Sequence, residues 1–239
     1  MNRGKIEERT FYSDALQEDM TLLIYLPATY SPLYKYSLLI ASDGKDYFQL
    51  GRISRVADEL LAEEEIENLI IVGIPYENVK VRRTNYHPNG DNNKAYMRFL
   101  AQELVPYLDA EFPTYQIGMG RGLIGDSLAA TVSLMTACAY PHTFGKVILH
   151  SPYVNETVLE TVKNTGNTHF TVDHIIGLDE KAVPTGDGVD KDFLQDNREL
   201  SELFEAQKFS YRYEEQPGGH TWKTWQKDMK RALQMNYTK

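Results

Sequence analysis

The sequence predicts an α/β domain with a mostly parallel central sheet and helices on both faces. Three observations carry this. Short apolar runs alternate along the chain with helical stretches, the order that layers helices over a parallel sheet. Leu69–Ile74 is apolar throughout and stops at Pro75, as a central strand covered on both faces should. A third run ends at Gly125, and a helix of small residues, Leu128–Ala139, begins directly after the turn that carries Ser127. No internal repeat, low-complexity tract or long linker interrupts the 239 residues, so residues 1–239 read as a single domain with enough chain to bury a sizeable core.

The elements follow in order. Residues 20–26 read as a strand stopped by Pro27, and residues 36–41 as a second that ends in Ser42-Asp43-Gly44. Residues 52–65 are helical in pattern, and Leu69–Ile74 is the next strand. Residues 94–112 read as an amphipathic helix with a bend or break at Pro106. Residues 115–125 lead into the serine turn. Lys146–His150 is a strand ending at Ser151-Pro152, and residues 170–176 form another ending at Gly177. Residues 191–207 are helical, 209–214 make a last strand, Pro217-Gly218-Gly219-His220 is a loop, and 222–235 form a closing helix. Reactive groups of an open α/β sheet gather beyond the carboxyl ends of its strands. That edge would hold residues 42–46, 125–128, 151–153 and 177–192, together with His220.

Charge and composition narrow the function. A net charge of −9 and a pI near 5.2 argue against a broad basic face for nucleic acid. Residues 1–11 are polar and charged with no apolar export segment, and no apolar run approaches bilayer length. A cytoplasmic location without membrane association is the expectation. The one cysteine, Cys138, cannot form an intramolecular disulfide and reads as a small buried residue on the helix after Ser127.

A serine hydroxyl needs a base to take its proton and a third group to orient that base. Ser127, in Gly125-Asp126-Ser127-Leu128-Ala129, departs from G-x-S-x-G only at the last position. An intact elbow is expected if the helix stands slightly off its neighbouring strand to fit the Ala129 methyl. The order serine, acid, histidine characterises the α/β-hydrolase arrangement. His220, in a glycine-flanked loop after the last strand, is the candidate base; His87, His142, His169 and His174 are poorer ones, and His150 could line the pocket. The acid should follow the preceding strand. Glu180 is favoured, with Asp179 next and then Asp190 or Asp192; Asp187, Asp190 and Asp192 could equally be a solvated loop that caps the following helix. The acidic run 187–192 lacks the spacing and terminal glutamate of an EF-hand, so no metal site is expected. The oxyanion donors would be the backbone N–H groups of Leu128 and of Lys45, in the Asp43-Gly44-Lys45 loop. Tyr47 and Tyr153, with Trp222 and Trp225, fall near the same edge, where they could shape a pocket or simply cover the core.

Tyr25-Leu26-Pro27, Ser42-Asp43-Gly44, Gly125-Asp126-Ser127-Leu128, Ser151-Pro152 and Gly218-Gly219-His220-Thr221-Trp222 with Trp225 resemble the Putative esterase family, which includes esterase D and the enterochelin esterases. The resemblance runs from about residue 22 to 225, and Gly-Gly-His-x-Trp-x-x-Trp is most similar to the enterochelin-esterase branch. It implies an α/β-hydrolase fold, hydrolysis of a small carboxylic ester, Ser127 and His220 as catalytic groups, and an Asp-Gly loop at the oxyanion. Gly177 to Glu180 also resembles the family's acid position. Ala129 and Ala130 stand where that family often has Gly-Gly. The mechanism requires no cofactor. A catalytically inactive scaffold that binds a partner, and an acyltransferase using the same serine, are the competing readings. With only about twenty residues between His150 and Phe170, no large lid fits, and a fairly open cleft is expected.

Overall fold

A computed structural model describes residues 2–165, 170–186 and 188–239. His169 and Asp187 therefore lie outside the described residues. The strands of the main sheet are β1 (Lys5–Ser13), β2 (Glu18–Leu26), β3 (Ser37–Ser42), β4 (Leu69–Ile74), β5 (Arg121–Asp126), β6 (Lys146–His150), β7 (Thr171–Gly177) and β10 (Ser210–Gln216). Their spatial order is β1-β2-β4-β3-β5-β6-β7-β10. β1 and β2 form an antiparallel hairpin, β2 meets β4 antiparallel, and every pair from β4 onward is parallel. The result is an α/β-hydrolase fold. A separate small hairpin, β8 (Val183–Pro184) with β9 (Asp190–Lys191), stands over the sheet edge.

The helices are α1 (Gly44–Gln49), α2 (Ile53–Ala62), α3 (Val79–Tyr86), α4 (Asn93–Arg98), α5 (Val105–Glu111), α6 (Leu128–Ala139), α7 (Glu156–Asn164), α8 (Phe193–Ala206) and α9 (Trp222–Tyr237). Side chains of the central strands alternate between two cores, as the period of two requires. Leu38, Ile40, Ile70, Val72, Val147 and Leu149 face one core with α4 to α8. Leu39, Ala41, Leu69, Ile71, Ile124 and Ile148 face the other, with α2 and α9. Helices therefore cover both faces, and the strands read as unbroken apolar runs for that reason.

The expected 94–112 helix is one continuous rod, with a π-helical segment (Phe99–Leu104) between α4 and α5. Pro106 sits at the start of α5, where the wider turn accommodates its missing N–H and bulky ring. β1, α1, α3, α7 and the β8–β9 hairpin have no counterpart in the sequence reading. β1 is a charged edge strand with at most one row of half-buried residues, and α3 carries little apolar surface, so neither shows a strong hydrophobic period. Between β6 and β7 the described residues hold the single helix α7. No helix among the described residues is long and apolar enough to cross a membrane.

Candidate active site

The carboxyl ends of β3, β5, β6, β7 and β10 bring the reactive groups together. Ser127 follows β5 at φ 52° and ψ −123°, a backbone conformation that side chains rarely adopt and that costs about 1–3 kcal/mol. Gly125 makes the turn possible, since a Cβ there would lie 2.2 Å from the Ala129 carbonyl carbon. The elbow is intact with alanine at position 129. The close approach is to the Ala129 backbone, while its side chain is fully buried in the main core.

His220 Nε2 lies 2.9 Å from Ser127 Oγ, and His220 Nδ1 lies 2.6 Å from Glu180 Oε2. The other carboxylate oxygen of Glu180 accepts the Ser151 hydroxyl at 2.6 Å and the Gly177 N–H at 2.9 Å. Trp225 Nε1–H donates in turn to Ser151 Oγ at 2.9 Å. Glu180 is buried, and the imidazole of His220 sits edge-on to Phe193 and Trp225, with ring centroids 4.5 and 5.0 Å away. The carboxylate thus faces Nδ1, leaving Nε2 as the acceptor turned toward the serine. Gly218, at φ 136°, and the bonds of Thr221 N–H and Thr224 Oγ1–H to the Gly219 carbonyl shape the loop that delivers His220.

The other acids lie elsewhere. Asp179 is exposed, and its N–H donates to the Gly218 carbonyl at 3.0 Å. Asp190 is exposed in β9, and Asp192 caps α8 by accepting the Gln195 N–H at 2.9 Å. Among the described residues no group of three His, Cys, Asp or Glu side chains could hold a metal ion.

A cavity of about 170 Å³ opens at Ser127 and His220. Leu128, Tyr153 and Phe193 line it, α3 contributes Val79, Arg82 and Arg83, and residues 183–186 close the opposite side. Ser127 stays half-exposed. Tyr153 is where the sequence put it. Tyr47 is not: it is fully buried, its hydroxyl bonded to His150 Nδ1 at 3.0 Å and its ring packed edge-on against Trp222. The register of α1 turns that side chain onto the sheet rather than outward. His150 is likewise fully buried, between Tyr47 and Asp228, and is not among the residues that line this cavity. Trp225 contributes through Ser151 rather than by facing the cavity. Lys45 is exposed as the second residue of α1 and is not among the cavity-lining residues, whereas Leu128 is.

Sequence reasoning placed Ser151 at this edge without a role and weighed His87 only as a poorer base, and it gave no sign of Arg82, Arg83 or the β8–β9 wall. Beside the elbow, Arg82 Nε donates to both oxygens of Asp43 at 3.0 and 2.8 Å, and Nη2 donates to Asp43 Oδ2 at 2.5 Å and to the Asp126 carbonyl at 3.4 Å. Burial drives the Asp43 carboxyl upward against the pull of Arg82. Burial, then the neighbouring Asp43 charge, holds the Asp126 carboxyl well above the usual carboxylate range. Arg82 stays charged, because the two carboxyl groups outweigh its own burial.

Comparison with known proteins agrees with this architecture. The family model described as Putative esterase matches residues 13–235. The chain is 54% identical over 224 residues to the uncharacterized protein YjcH of Bacillus subtilis (strain 168), covering 93% of each. A ferulic acid esterase structure superposes with a TM-score of 0.81 at 16% identity over 99% of both chains. The enterobactin esterase FES of Shigella flexneri superposes with a TM-score of 0.80 at 17% identity over 97% of this chain and 59% of that one. The chain belongs to the Putative esterase family.

Proposed function

We propose that this family member hydrolyses small carboxylic esters through an acyl-enzyme on Ser127, with His220 as the base and Glu180 as its orienting acid. The observation that carries the reading is the continuous hydrogen-bonded run from Ser127 Oγ through both ring nitrogens of His220 to Glu180. His220 Nε2 takes the hydroxyl proton as Ser127 Oγ bonds to the ester carbonyl carbon. The oxyanion so formed is held by the Leu128 N–H and by an N–H of the turn after β3, assigned to Lys45. The ester C–O bond then breaks, and the departing alkoxide carries away the proton held on Nε2. Water, deprotonated by the same nitrogen, attacks the acyl-enzyme and releases the acid, returning the proton to Ser127. The protons transferred come from the Ser127 hydroxyl and from water, and each passes through one imidazole, so the mechanism calls for no cofactor.

Replacing Ser127 with Ala tests this directly. Hydrolysis of p-nitrophenyl acetate should fall by about 10³-fold or more. A fluorophosphonate probe should label the wild type at Ser127 and fail to label the variant. An alanine variant that hydrolyses the ester at the wild-type rate would sink the assignment.

A further inference from the structure

Arg82 takes no part in the proton path, yet it joins the two backbone segments that the mechanism needs side by side. We propose that Arg82 is a positioning residue for the oxyanion hole, fixing the turn after β3 against the nucleophile elbow. The inference rests on the Ser127 reading above.

β3 and β5 are neighbouring strands, with Ala41 opposite Ile124, so the turn at Asp43 and the turn at Ser127 leave the sheet together. Arg82, from α3, reaches both. Its Nε and Nη2 form a fork on the Asp43 carboxylate, and Nη2 also reaches the carbonyl of Asp126, the residue before the nucleophile. Asp43 sits in the left-handed region at φ 59°, and its carbonyl closes the turn by accepting the Asp46 and Tyr47 N–H groups. The guanidinium is itself held, 5.7 Å from the ring centroids of both Tyr76 and Tyr86. Its position is therefore set by α3 and transmitted to the turn through planar, two-point contact, which a lysine ammonium cannot reproduce.

Charge makes the arrangement one-sided. Asp43 is 2% exposed and Asp126 5% exposed, and Arg82 is the cation between them. Without it the Asp43 carboxylate is buried and unpaired beside a second carboxyl group, and the turn must open to reach water. Opening changes the spacing between the Leu128 N–H and the donor on the β3 turn. Oxyanion donors act only when both lie at hydrogen-bond distance from the same developing oxygen.

The test uses the full chain with Arg82→Gln, Arg82→Lys and the double variant Arg82→Gln/Asp43→Asn, which leaves no unpaired carboxylate at position 43. Measured are kcat and KM for p-nitrophenyl acetate, the inhibition constant of an aryl trifluoromethyl ketone, whose hemiketal with Ser127 carries an oxyanion, and the thermal midpoint. Arg82→Gln should lower kcat by about 10²-fold and weaken the ketone by a similar factor, with KM within about threefold. Arg82→Lys should recover part of the loss. The double variant should fold and stay as slow as Arg82→Gln, since removing the charge problem does not restore the clamp. A folded double variant with wild-type kcat and ketone affinity overturns the proposal, and so does a change confined to KM. If Ser127→Ala is inactive while the Arg82 variants are unaffected, only this inference fails. If Ser127→Ala is fully active, the hydrolase reading fails first.

Discussion

Glu180→Gln is the sharpest probe of the proton path. The change is nearly isosteric, so its effect is decided by which end of the new amide faces which neighbour. Two donors, the Ser151 hydroxyl and the Gly177 N–H, point at one oxygen of Glu180. The amide carbonyl must take that side, because an NH₂ there would oppose two donors and leave them unpaired at a cost of about 1–3 kcal/mol each. The amide nitrogen then faces His220 Nδ1, where the carboxylate oxygen now lies at 2.6 Å, and donates to it. Nδ1 becomes the acceptor and the ring proton moves to Nε2, which faces Ser127 Oγ at 2.9 Å and can no longer accept. The base is held in the wrong tautomer. The expected loss in kcat is about 10³- to 10⁴-fold, equivalent to about 4–5 kcal/mol, with KM little changed. The assay is steady-state hydrolysis of p-nitrophenyl acetate, with the thermal midpoint as a control for folding. A folded variant within tenfold of wild type would refute the argument. It would mean that Phe193 and Trp225 orient the imidazole without the acid.

Gly125→Ala places a methyl 2.2 Å from the Ala129 carbonyl carbon, a backbone clash that only a shift of the elbow relieves. It should destabilise the fold by about 1–3 kcal/mol and depress activity more than stability; wild-type midpoint and rate together would disprove the close approach. His174 is fully buried, bonded to Tyr211 and Asn197, and burial lowers its pKa to about 4. The unfolded chain titrates near ~6.5, so between those values it binds a proton that the folded chain refuses, and stability falls as pH drops from about 6.5 to about 4, by roughly 3 kcal/mol at most. Urea unfolding at several pH values should show this slope in wild type and lose it in His174→Gln; an equal slope in both would contradict the assignment.

How much the sequence disclosed depended on whether a signal was local. Leu69–Ile74, Lys146–His150 and Leu128–Ala139 carry their evidence in adjacent residues, and the strands and helix keep those bounds. Ser127 and His220 were legible because strained or glycine-flanked turns advertise themselves and because chain order restricts the partners. The acid was not, since several carboxylates follow β7 within fifteen residues. Only the turn at Gly177 separates them: it directs Glu180 inward and leaves Asp179 exposed. Tyr47 misled because proximity in sequence to the Asp43 turn says nothing about which way a short helix rotates. Arg82 gave no signal at all, as its partner Asp43 lies 39 residues away and α3 has no apolar stripe to place it.

The long-range contacts share one cause, the registry of the parallel strands. Asp126 pairs with His150, His150 with Ile175, and Gly177 with Gln216, so β5, β6, β7 and β10 end nearly level. Ser127 and Ser151 are the first residues past two adjacent ends, and both adopt positive φ, at 52° and 49°. The turn at Ser127 is pinned by its N–H bond to the His150 carbonyl, and that at Ser151 by its N–H bond to the Ile175 carbonyl. Each bond borrows the carbonyl of the next strand, so neither turn can relax unless the sheet slips. A one-residue slip would exchange the two cores, which the fully buried Leu39, Ile40, Ile148 and Leu149 forbid. The strain of about 1–3 kcal/mol at each serine is therefore supported by sheet packing rather than by the site itself. This is why the line from Trp225 through Ser151, Glu180 and His220 to Ser127 can consist of short hydrogen bonds while drawing its members from five different parts of the fold.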